Sequence, residues 1–311
     1  MTRAFFAYET FRRKLSYGAD PCGISLHHLP QGYVVHAHDY LEIVIVIGGS
    51  ADHHVDNQTY RVSTGDVFVI HGETAHGFSR ATADFHVCNI FYPHDSSWIP
   101  HARLATLPGY QALFVLEPIR RRGEEFPSRL RLDSIALHDL TTLAHRLHKE
   151  LERQIQGHIY MAQGYLLQLI VTLSRLYAGL HDEQARGLLR MSDAVIYLEE
   201  HFCEPIKIGD LAAYAAMSER HFCRLFRQTF SITPSERMLE LRLEHARRLL
   251  ADRTLNVTEI AYACGFRDSN YFTRQFKQRV GCTPRAYRKT QLFLPLAGHQ
   301  GIPLACVAEE N

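Results

Sequence analysis

No apolar run in this chain approaches the roughly 18 residues that a membrane-crossing helix needs. No signal-peptide hydrophobic stretch opens it. The seven cysteines are odd in number and include no Cys-x-x-Cys pair. That argues against a disulfide framework or a zinc ribbon, and for reduced thiols in the cytoplasm. An excess of either charge is missing too: 34 lysine and arginine stand against 33 aspartate and glutamate, a net +1. Overall charge therefore says nothing about a polyanionic partner. The length, 311 residues, leaves room for two domains or three small ones.

The charge is unevenly placed. Residues 190–290 hold 17 lysine and arginine against 12 acidic residues, a net +5, which leaves −4 for the rest. A mildly basic C-terminal third fits phosphate binding but does not establish it.

What that third has is one pattern written twice. The first copy is Leu211-Ala212, then Phe222, Arg224 and Phe226, then Thr233-Pro234. The second, about 50 residues on, is Ile260-Ala261, then Phe272, Arg274 and Phe276, then Thr283-Pro284. Each reads as a short helix, a tight turn and a second helix, the outline of a helix-turn-helix. In the second copy Gly265 suits a turn that needs positive φ, and Asp268 or Ser269 can cap the following helix. In the first, Ala216 stands where Gly265 does, the turn is one residue shorter, and Ser218 is the cap. The phenylalanine pairs at i, i+4 point inward. Arg220, Arg224 and Arg227 share another face, and Asn270, Arg274 and Lys277 turn away from the second aromatic pair. Pro234 to Ala251 predicts a spacer helix roughly 27 Å long.

The run Ile260-Ala-Tyr-Ala-Cys-Gly-Phe-Arg-Asp-Ser-Asn-Tyr-Phe272, with Phe276 and Gly281-Cys-Thr-Pro284, resembles the signature of the AraC/XylS transcription regulators. The resemblance covers Leu211 to Arg288. It departs from the usual pattern at Ser231, Arg237 and Lys207, where Gly, Tyr and a capping Ser or Thr are common. It implies a two-repeat DNA-binding domain. Arg220, Arg224, Asp268 and Asn270 match positions that touch bases in the rhamnose-responsive activators of that family. Asp268 competes as a helix cap. Arg274 and Lys277 are expected on phosphates, which position without reading sequence, and Arg227 is expected on DNA from the face it shares with Arg220 and Arg224. Glu259 matches an acidic position that contacts the polymerase sigma subunit; its plain alternative is a first-turn glutamate favoured by the helix dipole.

The N-terminal third reads as short strands: Gly32 to His38, Leu41 to Ile47, Tyr60 to Val62, Asp66 to Ile70 and Phe85 to Tyr92, punctuated by Gly48-Gly49, Asp56-Asn57 and Gly65. Such a pattern suggests a small barrel or sandwich. His36-Ala-His38 with Glu42 and Gly49 resembles the first cupin motif, and Gly65, Gly72 and His76 partly resemble the second, with His71 in place of a proline. Two readings of His36, His38, Glu42 and His76 stay open. They can hydrogen-bond the hydroxyls of a bound sugar, or they can hold one metal ion. The sugar is preferred, with no metal and no cofactor. His36 to Val46 and Leu107 to Pro118 look like the rhamnose-responsive activators, which implies L-rhamnose or a related sugar as effector.

Between these regions, Arg120 to Glu125 reads as a charged linker. Leu140, Leu143, Leu147 and Leu151, then Leu166, Leu169, Ile170, Leu173 and Leu176, predict two amphipathic helices. They are expected to dimerise the protein rather than only cap the barrel. The expected fold is therefore α+β and multidomain. Residues 1–118 form a cupin-like effector-binding barrel, 119–187 a helical linker and dimerisation segment, 188–290 an all-α domain with two helix-turn-helix motifs, and 291–311 a tail without assigned role. The expected function is a cytoplasmic, non-enzymatic transcription activator. Its partners are promoter DNA, a sugar, RNA polymerase and a second copy of the chain, with no membrane. The alternatives are a metal-dependent cupin enzyme using the same four residues and a repressor with a different effector.

Overall fold

The computed structural model describes residues 12–13, 22–118 and 130–290, except 57, 73, 94–97, 182 and 253. The expected linker Arg120 to Glu125 and the tail 291–311 lie outside them. The chain divides into two compact units, Met1–Ile196 and Tyr197–Asn311.

The first unit is built on two five-stranded sheets. Its strands are β1 (Arg12–Arg13), β2 (Gly23–His28), β3 (Tyr33–His38), β4 (Tyr40–Gly48), β5 (Ser50–Val55), β6 (Gln58–Ser63), β7 (Asp66–Ile70), β8 (His76–Ser79), β9 (His86–Pro93) and β10 (Leu130–Arg131). The sheet orders are β1-β3-β8-β5-β6 and β10-β7-β4-β9-β2. Every described pairing but β1 with β3 is antiparallel. The inner faces meet in a core of Val44, Val46, Ala51, Val55, Val62, Phe68, Ile70, Phe78, Phe85 and Val87. In β4 the residues of the opposite parity, Leu41, Ile43 and Ile45, are buried as well. This strand is covered on both sides, which is why it reads as a continuous apolar run rather than an alternation.

Two short helices follow, α1 (His101–Leu104) and α2 (Pro108–Tyr110), the second running into a π-helical turn over Gln111–Leu116. The turn is tied to the barrel by His71, whose Nε2 donates to the Phe114 carbonyl at 2.6 Å. Gly109 lies so close to the Ser174 carbonyl that a Cβ there would overlap it.

Helix α3 (Ser134–Arg153) starts at Asp133, whose carboxylate accepts from the Ala136 N–H at 2.8 Å. It buries Leu140, Leu143, Ala144 and Leu147, and Leu151 is half-buried. Helix α4 (His158–Ala178) buries Leu166, Leu169, Ile170, Leu173 and Tyr177. The two pack on one another, and α3 also lies against β2 and β9. Helix α5 (Glu183–His201) carries the chain through the division between the units.

The second unit is helical: α6 (Ile208–Tyr214), α7 (Glu219–Phe230), α8 (Pro234–Leu249), α9 (Val257–Ala263), α10 (Ser269–Val280) and α11 (Pro284–Thr290). Helices α6 with α7 and α9 with α10 are the two helix-turn-helix units. The spacer α8 has 16 residues, about 24 Å, and stops two residues before the predicted Ala251. Its Leu243 and Ala246, with Leu250 just past its end, join Ile260, Ala261, Cys264, Phe266, Phe272 and Phe276 in one core. Full burial of an aromatic such as Phe272 contributes about 1.5–3 kcal/mol, so the spacer and the second repeat stand as one packed body.

Among the described residues no helix is long and apolar enough to cross a membrane. Among the described residues no cysteine forms a disulfide.

Candidate functional site

The second helix of each repeat is amphipathic in the same register. In α7, Phe222 and Phe226 are fully buried while Arg220, Arg224 and Arg227 are exposed. In α10, Phe272 and Phe276 are fully buried while Asn270, Arg274 and Lys277 are exposed. Of the seven sequence-predicted DNA residues, all are therefore exposed, and six sit within these two helices. The seventh, Asp268, is the N-cap of α10. Its two oxygens accept from the Asn270 and Tyr271 N–H groups at 3.0 and 3.1 Å. Ser269 does not take that role.

Local contacts hold the long cationic side chains in place. An Arg224 Nη2 lies 3.1 Å from His221 Nδ1. The Arg274 guanidinium lies over the Tyr271 ring, 5.4 Å from its centroid. Asn270, Thr273, Arg274, Lys277 and Gln278 line one open concavity along α10. His221, Tyr271 and Thr273 were not singled out in the sequence. His221 and Tyr271 lie one turn from Arg224 and Arg274, and Thr273 one turn from Asn270 and Lys277, and that spacing is the signal that points to them. Three donor-rich residues on one exposed helix face can meet phosphates, and Arg and Asn can bond base edges bidentately.

Glu259 is exposed and already has a structural task. Its carboxylate accepts from the Asn256 N–H at 2.7 Å, and the Asn256 side chain accepts from the Thr258 and Glu259 N–H groups. This reciprocal capping box fixes the start of α9.

In the barrel, the strand register brings the second group of residues together. His36 on β3 is directly opposite His76 on β8. His38 follows two residues along the same face, and Glu42 projects inward from β4 with the parity of Val44 and Val46. The ring centroids of His36 and His76 are 4.4 Å apart, and those of His38 and His76 are 5.0 Å apart. Glu42 Oε2 faces His38 Nε2 at 2.9 Å and His76 Nε2 at 3.0 Å. The other ring nitrogens face backbone carbonyls: His36 Nδ1 and Val34 at 3.1 Å, His38 Nδ1 and Tyr40 at 3.0 Å, His76 Nδ1 and Thr74 at 3.1 Å. Tyr40 also stacks on the His38 ring at 3.8 Å. The structure thus unites all four predicted residues, and adds Tyr40 as a wall that the sequence reading did not name.

Burial governs the charges here. His38, Glu42 and His76 are almost wholly buried, and His36 is half-buried. Burial, reinforced by the neighbouring His76, pushes the His36 imidazole down to about 4. For Glu42 burial works to raise the carboxyl, but the facing His38 and His76 rings outweigh it and hold the group below the usual carboxylate range. The arrangement can bind a cationic or hydroxyl-rich ligand through preoriented acceptors.

Comparison with known proteins covers both units. A model of the AraC-like ligand binding domain matches residues 18–170, and a helix-turn-helix domain model matches residues 211–290. The HTH-type transcriptional activator RhaS of Escherichia fergusonii is 31% identical over 262 residues, covering 84% of this chain and 90% of that protein. RhaS of Enterobacter sp. strain 638 is 29% identical over 265 residues, with 84% and 90% covered. Among solved structures, the DNA-binding domain of AdpA, the global transcriptional factor, in complex with a target DNA is 34% identical, covering 32% of this chain and 91% of that one with a TM-score of 0.32. A ligand-binding-domain match in the first unit, a helix-turn-helix match in the second, and a relative above 30% identity covered almost end to end agree: the chain belongs to the AraC family of DNA-binding transcription regulators.

Proposed function

We propose that this regulator is a sugar-responsive transcription activator that binds L-rhamnose or a related sugar in its barrel and acts as a homodimer on two promoter half-sites. The observation that carries the reading is the duplicated face of α7 and α10, where two fully buried phenylalanines set an exposed polar row in the same register twice. Two such helices on one rigid spacer suit two successive major-groove segments. Arg220, Arg224 and Asn270 read bases, Asp268 contributes beside its capping role, and Arg227, Arg274 and Lys277 hold phosphates. The relatives' name, transcriptional activator, supports the direction of regulation.

The effector lies against His36, His38, Glu42 and His76. Its binding shifts an equilibrium between poorly and well-oriented DNA-binding states, which requires the sugar to prefer one of them energetically. The helices α3 and α4 pair two copies. Ile135, Ile155, Tyr160 and Met161, on or between them, are large apolar residues left exposed in the single chain, which supports that role. Residues 1–118, 119–187 and 188–290 divide these tasks, and 188–290 alone is expected to bind promoter DNA without sugar. No reaction is assigned to the four barrel residues.

Glu259 touches the polymerase sigma subunit from the start of α9. Glu259→Gln keeps the capping box, because glutamine also accepts from the N-cap N–H, and removes the charge. A fall in activated transcription at unchanged DNA affinity supports the contact; unchanged transcription removes it.

The deciding experiment is a titration of the full chain with promoter DNA, with and without L-rhamnose, at fixed salt. A sugar-dependent gain in specific affinity supports the activator and its effector. Tight specific binding that ignores L-rhamnose retains the DNA reading and rejects that effector.

A further inference from the structure

We propose that a cavity between the two repeats is a seat for the DNA backbone, in which Lys207, Arg242 and Arg267 meet phosphates lying between the two major-groove segments. The inference rests on the DNA reading above and extends it to residues outside the two recognition faces. The cavity has a volume of about 400 Å³. Its walls come from the loop before α6, from the spacer α8 and from the turn that leads into α10. Buried Met238 and Phe266 line it together with the three cations. Gly265 holds the turn in place, since it lies so close to the Cys203 backbone that a Cβ there would overlap it.

The cations of this cavity differ from others in the same unit. Arg237 faces Glu199 at 2.7 Å and Arg248 faces Glu244 at 3.2 Å. Among the described residues Lys207, Arg242 and Arg267 form no ion pair. Lys207 and Arg267 are exposed, while Arg242 is half-buried. The Arg242 Nε and Nη2 donate to the Phe202 and Glu204 carbonyls at 2.7 and 2.9 Å. Burial lowers this guanidinium from its ordinary value, yet arginine keeps its charge. A half-buried charge held by carbonyls alone carries a desolvation cost that a nearby anion offsets. The acid on the rim, Asp268, already accepts from the Asn270 and Tyr271 N–H groups.

Lys207 supplies an independent reason. It stands at the N-cap of α6, where its side chain offers no acceptor. In the second repeat Asn256 caps α9 with two bonds. Local rules are broken chiefly at functional sites, and a cap given up for a cation beside two arginines fits a place that binds an anion.

Position identifies that anion. Tyr271 lines the cavity and its ring lies under Arg274, 5.4 Å from the guanidinium, so the cavity adjoins the exposed face of α10. Where two recognition helices occupy successive major-groove segments, the minor groove and its flanking phosphates pass between them on the same side of the duplex.

The test uses the full chain and promoter DNA, titrated over a series of salt concentrations. Lys207→Ser and Arg267→Ala should each weaken binding to promoter and random-sequence DNA alike. Each should lower the salt slope by about one, and the double variant by about two. Far-UV circular dichroism checks folding. Direct contact is separated from long-range charge by a duplex with neutral methylphosphonates between the two major-groove segments, placed from a hydroxyl-radical footprint. That duplex should bind the wild-type chain more weakly and make little further difference to the double variant. Variants that keep the wild-type slope, or equal methylphosphonate losses in wild type and double variant, overturn the seat while the DNA reading stands. A wild-type chain that binds no duplex overturns both. Inorganic phosphate is titrated into the free chain by calorimetry. Saturable phosphate binding that both substitutions abolish, with unchanged DNA slopes, makes the cavity a small-anion site and overturns its assignment to DNA.

Discussion

The two helix-turn-helix units share one burial pattern but build their turns from different material. In the second, the turn is Gly265 at φ +80, the helix end is Gly281 at φ +90, and α9 and α10 start on the side-chain caps of Asn256 and Asp268. In the first, the same left-handed positions are Ala216 at φ +52 and Ser231 at φ +61. Helix α6 begins at Lys207, which offers no side-chain cap; only Asp210 reaches back, accepting from the Lys207 N–H at 3.3 Å. Ser218 caps α7 through a single bond of 3.3 Å. The second repeat is thus specified locally, by glycines and caps. The first holds left-handed backbone with side chains present and leans on the packing of Leu211, Ala212, Phe222 and Phe226. One tertiary shape tolerates two levels of local encoding, because the buried aromatic pair fixes the helix orientation in both.

The sharpest way to break this comparison is Gly265→Ala. A Cβ there meets positive φ and overlaps the Cys203 backbone, two penalties of about 1–3 kcal/mol each. A loss of about 3 kcal/mol or more in denaturant unfolding is expected. A loss under about 1 kcal/mol would show that the turn adapts as Ala216 does.

On the DNA side, Arg224→Ala should cost about 1–3 kcal/mol of specific affinity with little effect on random-sequence DNA, read from paired titrations. Equal losses on both reduce Arg224 to a phosphate contact. Lys277→Ala should weaken binding across sequences and lower the salt slope by about one.

Caps offer a finer contrast. Asp268→Ala should destabilise by about 1–2 kcal/mol and Ser218→Ala by about 0.5–1 kcal/mol, measured in the same unfolding assay. Reversed sizes would contradict the ranking of the two repeats. If Asp268→Ala loses stability but keeps base preference at every operator position, Asp268 is a cap alone.

The smallest effects come from giving the first repeat the devices of the second. Lys207→Ser should add about 0.5–1 kcal/mol by supplying the missing cap. Ala216→Gly should add no more than about 1 kcal/mol, because relief of left-handed strain is offset by the greater freedom of glycine in the unfolded chain.

Much of this was legible before any coordinates. The caps Ser218 and Asp268 are where the sequence puts them, since capping depends on residues only two or three apart. The phenylalanine pairs are buried as their spacing requires. Five strands escaped notice, two of them the two-residue β1 and β10. β5, Ser-Ala-Asp-His-His-Val, buries Asp52 and His53 and so breaks the expected alternation. β2 is mostly polar or exposed, and β8 is four residues long. Such strands are held by their neighbours in the sheet, and local propensity says little about them.

By itself, then, the sequence determined what local physics determines: helix starts and stops, the doubled recognition pattern, the apolar faces and the residue types at the barrel site. Tertiary structure decided how distant parts meet. Only strand register places His76 opposite His36, and only the pairing of two sheets brings Glu42 from β4 within 3.0 Å of both buried rings. Those distances depend on backbone pairings across dozens of residues, and no short-range pattern encodes them.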